Sequence, residues 1–91
     1  MAAFKGRAVR AALTGKLGFD EDRGRRHPTF ERFHGGEIVG VTHMSHDAER
    51  RDLSDFELGA MARQLGVRGP ELRQAIHCSI SGDDFLTLLL G

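Results

Sequence analysis

The clearest structural signal in the sequence lies at residues 29–44, which read TFERFHGGEIVGVTHM. Two runs rich in β-branched and aromatic residues, 29–34 and 37–44, flank the pair Gly35-Gly36. Adjacent glycines accept the positive φ angles that a two-residue hairpin turn requires. The stretch therefore predicts an antiparallel β-hairpin.

The glycine turn also predicts which residues of the two strands face each other, because turn length sets the register of a hairpin. Both faces of the predicted hairpin carry apolar groups, so the pattern leaves open which face the helices cover. The predicted cross-strand pairs are Phe33 with Ile38, Phe30 with Val41 and Thr29 with Thr42; Phe30, Val39 and Val41 share one face, and Phe33, Ile38 and Met44 share the other.

On the N-terminal side, the hairpin is preceded by a helical pattern. Val9, Leu13 and Leu17 recur at i, i+4 and i+8 and predict a helix over about residues 3–17. Gly18 is placed to stop it. Residues 19–23 predict a short edge strand, although three consecutive acids there have poor β-propensity.

On the C-terminal side, helix signals follow one another closely. The capping box Ser54–Glu57 opens a helix that Gly66 ends. Pro70 predicts the first position of the next helix. Ser81 predicts another N-cap, followed by the apolar tail 85–90, which on so small a domain must dock on the core or on another chain.

These elements predict one α+β domain over residues 1–91, with an N-terminal helix, a small antiparallel hairpin or three-stranded sheet, and two to three further helices. The lone Cys78 excludes an intramolecular disulfide and favours a reducing cytoplasm. The sequence also contains no run of membrane-spanning length, so we expect no membrane partner.

Charge is unevenly distributed along a chain whose net charge is zero. Residues 1–34 carry eight Lys/Arg against four Asp/Glu, a net +4, and the remaining residues carry a net −4. A zero net charge argues against a simple electrostatic nucleic-acid binder. The basic first part can still meet a polyanion while the acidic part faces a partner protein.

The strongest chemical signal is His27, which follows Arg25 and Arg26 at the entrance to the hairpin. Histidine changes charge between pH 5 and 8, so it can carry a proton at physiological pH. The planar guanidinium of arginine suits phosphate oxygens and keeps its charge. This combination fits a phosphate-directed catalytic loop, although histidines and arginines on an exposed loop are more often merely solvated.

A family resemblance covers most of residues 10–80. The residues that carry it are Leu17-Gly18-Phe19, Arg26-His27, Phe30, the strand to Thr42, Ser45-His46, Leu53-Ser54-Asp55, Ala62-Arg63-Gln64-Leu65 and Cys78. In order and spacing, these motifs make the chain similar to the HicA family of toxin ribonucleases.

The resemblance implies a double-stranded-RNA-binding-like (dsRBD-like) fold and metal-independent RNA cleavage by one histidine, which looks like His27. RNA would be the substrate, a HicB-like antitoxin the protein partner, and no cofactor is expected. Arg25 and Arg26 would hold the scissile phosphate, and Lys16 and Arg10 would add diffuse RNA contacts. The chain departs from the family pattern because Arg25-Arg26 replaces a glycine-serine pair and Pro28 directly follows the histidine. That departure concerns the residues expected to act on the substrate, not those expected to form the fold.

Two alternatives concern other residues. Residues 54–79 fit a helix-turn-helix DNA reader, with Arg68 and Arg73 on phosphates and Gln74 on a base edge. A zinc site would need ligands from distant elements, and its spacing matches no compact metal motif, so no metal is expected. The residues considered for zinc are His43, His46, His77 and Cys78.

A third alternative is a non-catalytic RNA- or protein-binding module of the same fold. The apolar tail at 85–90 and the acidic residues within 47–57 and at 83–84 would then serve a protein partner. This reading is compatible with the resemblance, because toxins of that family are held inactive by an antitoxin.

Overall fold

The predicted hairpin forms part of an antiparallel sheet in the computed structural model, which describes residues 4–22, 24, 27–77 and 79–91. The sheet is built from strands 20–22, 29–34 and 37–43 in that order, and a separate short ladder pairs residues 4–5 with residues 52–53. Helices pack on the sheet, so the predicted α+β class is confirmed. The elements are β1 (Phe4–Lys5), α1 (Gly6–Thr14), β2 (Asp20–Asp22), β3 (Thr29–His34), β4 (Glu37–His43), a 3₁₀ turn (Ala48–Arg50), β5 (Asp52–Leu53), α2 (Asp55–Leu65), α3 (Gly69–Ile76) and α4 (Gly82–Leu90).

The hairpin turn forms at Gly35 and Gly36, whose φ angles of 61° and 81° both lie in the left-handed region. The edge strand expected within 19–23 is present as β2. The pair Phe33–Ile38 next to the turn is confirmed.

Farther from the turn, the predicted register is wrong by one residue. Arg32 pairs with Gly40 while Phe33 pairs with Ile38, so β4 carries Val39 as an extra residue at a bulge. As a result Phe30 lies opposite Thr42, and Thr29 lies opposite His43.

The bulge decides which face of the sheet is covered. Phe30, Gly40 and Thr42 are buried on one face, whereas Val39 and Val41 are only half-buried. A regular hairpin would have placed Phe30 with Val39 and Val41, and a single extra residue reverses that assignment. Beyond the bulge, Phe33 and Ile38 keep 40% and 48% of their surface exposed.

Helices α2 and α4 cover the buried face at Gly40. A Cβ atom built on Gly40 would lie 3.2 Å from side-chain carbons of both Leu65 and Leu89. Phe85 of α4 is fully buried, with its ring centroid 6.4 Å from that of Phe19. The apolar tail therefore docks on the core of its own chain, as one of the two predicted outcomes.

Helix α1 is shorter at both ends than predicted. At its start, Phe4 and Lys5 are extended and pair with β5, and Gly6 begins the helix. At its end, the helix stops at Thr14 instead of near residue 17, and Gly15 is its C-cap. Gly18, with φ 75°, turns the chain so that the Phe19 amide donates to the Leu13 carbonyl at 2.7 Å.

The C-terminal helix signals are largely confirmed. Ser54 and Glu57 make the full capping box of α2, and Gly66 ends that helix in the left-handed conformation. Ser81 caps α4 by accepting from the Asp84 amide at 3.1 Å. Pro70 lies one position later than predicted, because α3 begins at Gly69. Within the described residues, no helix combines the length and apolarity needed to span a bilayer.

Candidate functional site

His27 lies on the surface immediately before β3, and its backbone is held to the end of the sheet. The Thr29 hydroxyl donates to the His27 carbonyl at 3.0 Å, and the Met44 amide donates to the Pro28 carbonyl at 3.0 Å. These bonds couple the histidine segment to the residue where β4 ends. The His27 side chain itself is exposed.

A second histidine faces His27 across the same end of the sheet. His46 lies in the connection after β4, and the two ring centroids are 5.5 Å apart with their planes at 45°. His27 and His46 are separated by the whole hairpin in sequence. Their proximity follows from the antiparallel pairing of β3 and β4, which returns the chain to its starting edge.

Arg51 anchors the connection that carries His46. Its guanidinium binds both oxygens of Glu57, at 2.9 and 2.7 Å, and donates to the Ser45 hydroxyl at 2.9 Å. Asp47 lies 3.4 Å from the same guanidinium. The turn around His46 is thus fastened to the first turn of α2.

These contacts shift the pKa of each partner in the expected direction. The hydrogen bonds from Arg51 and from the Ser54 amide lower the pKa of Glu57 to about 2. The positive charge of Arg51 lowers the pKa of Asp47. The hydrogen bond with Glu57 raises the pKa of Arg51.

A cleft of about 140 Å³ lies next to the histidine pair. Phe30 and Met44 contribute apolar wall, and the polar lining comes from elements far apart in sequence. The lining residues are Arg10, Glu21, Pro28, Phe30, Met44, Ser45, His46 and Glu49. This arrangement places the His46 imidazole, a guanidinium and two carboxylates around one opening.

Arg10 is the cation of the cleft, and two carboxylates share it. It donates to Glu21 at 2.7 Å and to Glu49 at 2.8 Å. The hydrogen bond with Glu21 raises the pKa of Arg10. Arg10 therefore lines the cleft, but its charge is compensated by its neighbours.

The other predicted substrate-binding residues are placed differently. The Lys16 ammonium donates to the Ala75 carbonyl near the end of α3, so it joins the turn after α1 to α3 and does not line the cleft. A cation at the last carbonyls of a helix is favourable on electrostatic grounds. Arg25 and Arg26 lie outside the described residues.

The sequence pattern missed two groups of the site. Glu49 and Arg51 belong to a polar segment that reads as an ordinary charged connection. Their partners, Arg10 and Glu57, are 39 and 6 residues away in sequence. A periodicity argument cannot find such pairs, because neither charge lies on the same element as its partner.

The histidines considered for zinc are dispersed. His43 Nδ1 lies 3.1 Å from the Thr29 hydroxyl, and the His77 ring packs against Phe4 with centroids 4.7 Å apart. Among the residues that the structure describes, no three His, Cys, Asp or Glu side chains are grouped as metal ligands. Cys78 lies outside them.

The residues proposed for DNA reading lie on α3 and on the turn before it. Arg68 and Gln74 are exposed. Arg73, in contrast, lies 3.6 Å from Asp55 of α2, and Glu71 accepts from the Arg68 amide at 2.9 Å. One of the two candidate phosphate contacts is thus paired with a carboxylate.

Comparison with protein-family models, with curated proteins and with solved structures found no match.

Proposed function

We propose that this chain is a metal-independent endoribonuclease of the HicA-like kind, the toxin of a pair with a HicB-like antitoxin. His27 is its proton carrier. The observation that carries the proposal is the His27–His46 pair, with ring centroids 5.5 Å apart beside a polar cleft.

The order of elements supports this assignment. A helix, antiparallel strands β2, β3 and β4 and then α2 follow in the order expected for a dsRBD-like fold. We therefore propose that the α+β domain is of this kind.

The chemistry requires one proton acceptor and one proton donor. Cleavage through the ribose forms a bond between O2′ and phosphorus and breaks the bond between phosphorus and O5′. A base removes the O2′ proton, an acid protonates O5′, and the products are a 2′,3′-cyclic phosphate and a 5′-hydroxyl. Two imidazoles this close can divide these tasks when one is neutral and the other protonated.

Phosphate binding would draw on several cations. The sequence assigns Arg25 and Arg26 to this role, because they immediately precede the catalytic candidate. Arg10 also lines the cleft, but Glu21 and Glu49 together outweigh its charge, so it would bind a phosphate oxygen only if the phosphate displaced one of these carboxylates. A protonated histidine would supply further positive charge to the reacting phosphate.

The test is cleavage of a single-stranded RNA by the purified protein in EDTA. We expect His27→Ala to lower the rate by at least about 10²-fold, because positioned acid–base catalysis contributes that much. His46→Ala should lower it as well. The control is His34→Ala, an exposed histidine at the hairpin turn, which should cleave like the wild type.

Equal cleavage by the wild type and His27→Ala would exclude the catalytic assignment. In that case the second candidate function is DNA binding by α2 and α3, which the exposed Arg68 and Gln74 favour. Binding to duplex DNA would then be weakened by Arg73→Ala and unaffected by His27→Ala.

A further inference from the structure

A second groove, of about 190 Å³, continues from the cleft toward α2. It shares Met44 and Ser45 with the lining of the cleft, so the two openings adjoin at the end of β4. Its far side is formed by α2, with Phe56 and Gln64 on its wall. A chain bound at the histidine pair would therefore have this groove immediately beside it.

Phe56 is unusual among the phenylalanines of the chain because 78% of its surface is exposed. Helix α2 buries a separate stripe in the core, formed by Leu58, Met61, Ala62 and Leu65. Phe56 therefore contributes little to holding the helix in place. An exposed aromatic ring on the wall of a groove is a suitable surface for stacking an unpaired base.

Gln64 supplies a hydrogen-bonding group whose orientation is fixed. Its Oε1 accepts from the Thr42 hydroxyl at 2.7 Å and from the His43 amide at 3.2 Å. Both acceptor sites of the oxygen are used, so the amide nitrogen is left to donate outside this network. A donor held in place in this way can select among base edges that carry an acceptor.

The negative charge at the groove is compensated, so it does not disfavour an uncharged nucleobase. Glu57 lines the groove, but Arg51 binds both of its carboxylate oxygens. The phosphates would lie at the histidine cleft, and only the base would enter the groove.

We infer that this groove binds one unpaired nucleobase of a single-stranded RNA, stacked on Phe56 and hydrogen-bonded by Gln64, next to the phosphate at the histidine pair. The inference rests on the proposed function, since it assigns the substrate of the same site as single-stranded RNA. Its occupant is a base because the groove adjoins the phosphodiester site and joins a stacking ring to a fixed donor.

The binding test uses the full chain carrying His27→Ala, which keeps RNA intact, and short single-stranded oligoribonucleotides with 2-aminopurine at one position. We expect quenching of the fluorescence of the base, and about tenfold weaker binding after the added change Phe56→Ala. Gln64→Glu keeps the acceptor and removes the donor, so it should weaken binding too. Phe33→Ala removes another exposed ring and should have no effect.

Unchanged affinity and quenching in the Phe56→Ala protein would overturn the inference and would leave Phe56 as a contact for a protein partner. Cleavage separates this failure from that of the proposed function. If the wild type cleaves RNA and Phe56→Ala cleaves equally well, only the base site is wrong. If the wild type does not cleave while RNA binding still depends on Phe56, only the nuclease assignment is wrong.

Discussion

At Gly6, two parts of the backbone come very close together. Its amide donates to the Arg51 carbonyl at 2.9 Å, and a Cβ atom built on it would lie 1.6 Å from the Ala48 carbonyl oxygen. Any other side chain would force α1 away from the 3₁₀ turn. That turn follows the connection carrying His46. The absence of a side chain at residue 6 therefore lets α1 pack against the segment that positions His46.

We predict that Gly6→Ala destabilises the protein by about 3 kcal/mol, since the clash involves backbone that cannot rotate away. The measurement is urea unfolding followed by circular dichroism. Gly69→Ala is the matched control, because a Cβ atom there meets nothing within 4 Å. It should change the free energy of unfolding by no more than about 1 kcal/mol. Equal stabilities for the two variants would contradict the close approach seen at Gly6.

At the scale of elements, α2 is coupled to the connection after β4 through its own N-terminal cap. Glu57 accepts from the Ser54 amide at 2.9 Å as part of the capping box, and it also binds Arg51. One carboxylate therefore starts the helix and holds the turn near His46. The order of the site depends in this way on the ionisation of a residue that does not touch it.

We predict that Glu57 contributes to acid unfolding. Its pKa is about 2 in the folded protein against an ordinary 4.5. The stabilisation is therefore complete above pH 4.5 and is lost as the pH falls toward 2. Between these pH values, the free energy of unfolding of Glu57→Gln should fall less than that of the wild type. We expect the difference to be about 1 kcal/mol, because solvent screens the ion pair.

The measurement is urea unfolding of both proteins at a series of pH values. Glu37→Gln, at the hairpin turn, is the control for the loss of one carboxylate. Parallel stability curves for the wild type and Glu57→Gln would show that the ion pair does not stabilise the folded state.

At the scale of the whole molecule, folding brings a basic residue of the first segment next to an acidic residue of the rest of the chain. The first 34 residues carry a net +4, yet Arg10 of that segment is bound by Glu49 from the acidic remainder. Glu21 lies on the other side of the same guanidinium. The cleft is therefore less basic than the linear charge distribution suggests.

We predict that Glu49→Gln increases the rate of RNA cleavage at low salt. Removing one carboxylate frees part of the Arg10 charge for the substrate, and we expect an increase of about threefold that disappears at high ionic strength. Initial rates at two salt concentrations measure it. Glu37→Gln makes the same change of net charge about 20 Å along β4 from His43 and should have little effect. A decrease in rate would show that Glu49 orients Arg10 instead of competing for it.

Most of the fold could be predicted from local patterns. Gly35-Gly36, the Ser54 and Ser81 caps and the end of α2 at Gly66 each depend on a few adjacent residues. The bulge at Val39 could not be predicted in this way. The bulge replaces one set of cross-strand pairs with another. Which set forms depends on which face of the strand fits against α2 and α4.

The candidate site likewise combines features that the sequence predicts with features that only the tertiary structure shows. Residue type and position single out His27 as a candidate proton carrier, because imidazole chemistry belongs to the side chain itself. Its partner His46, the compensation of Arg10 and the groove under Phe56 depend on residues brought together across long separations. Local sequence encodes turns, caps and chemical groups, since these involve neighbouring atoms. The distances between those groups are set when β3 and β4 pair and the helices pack, because only then do side chains that are far apart in sequence come close together in space.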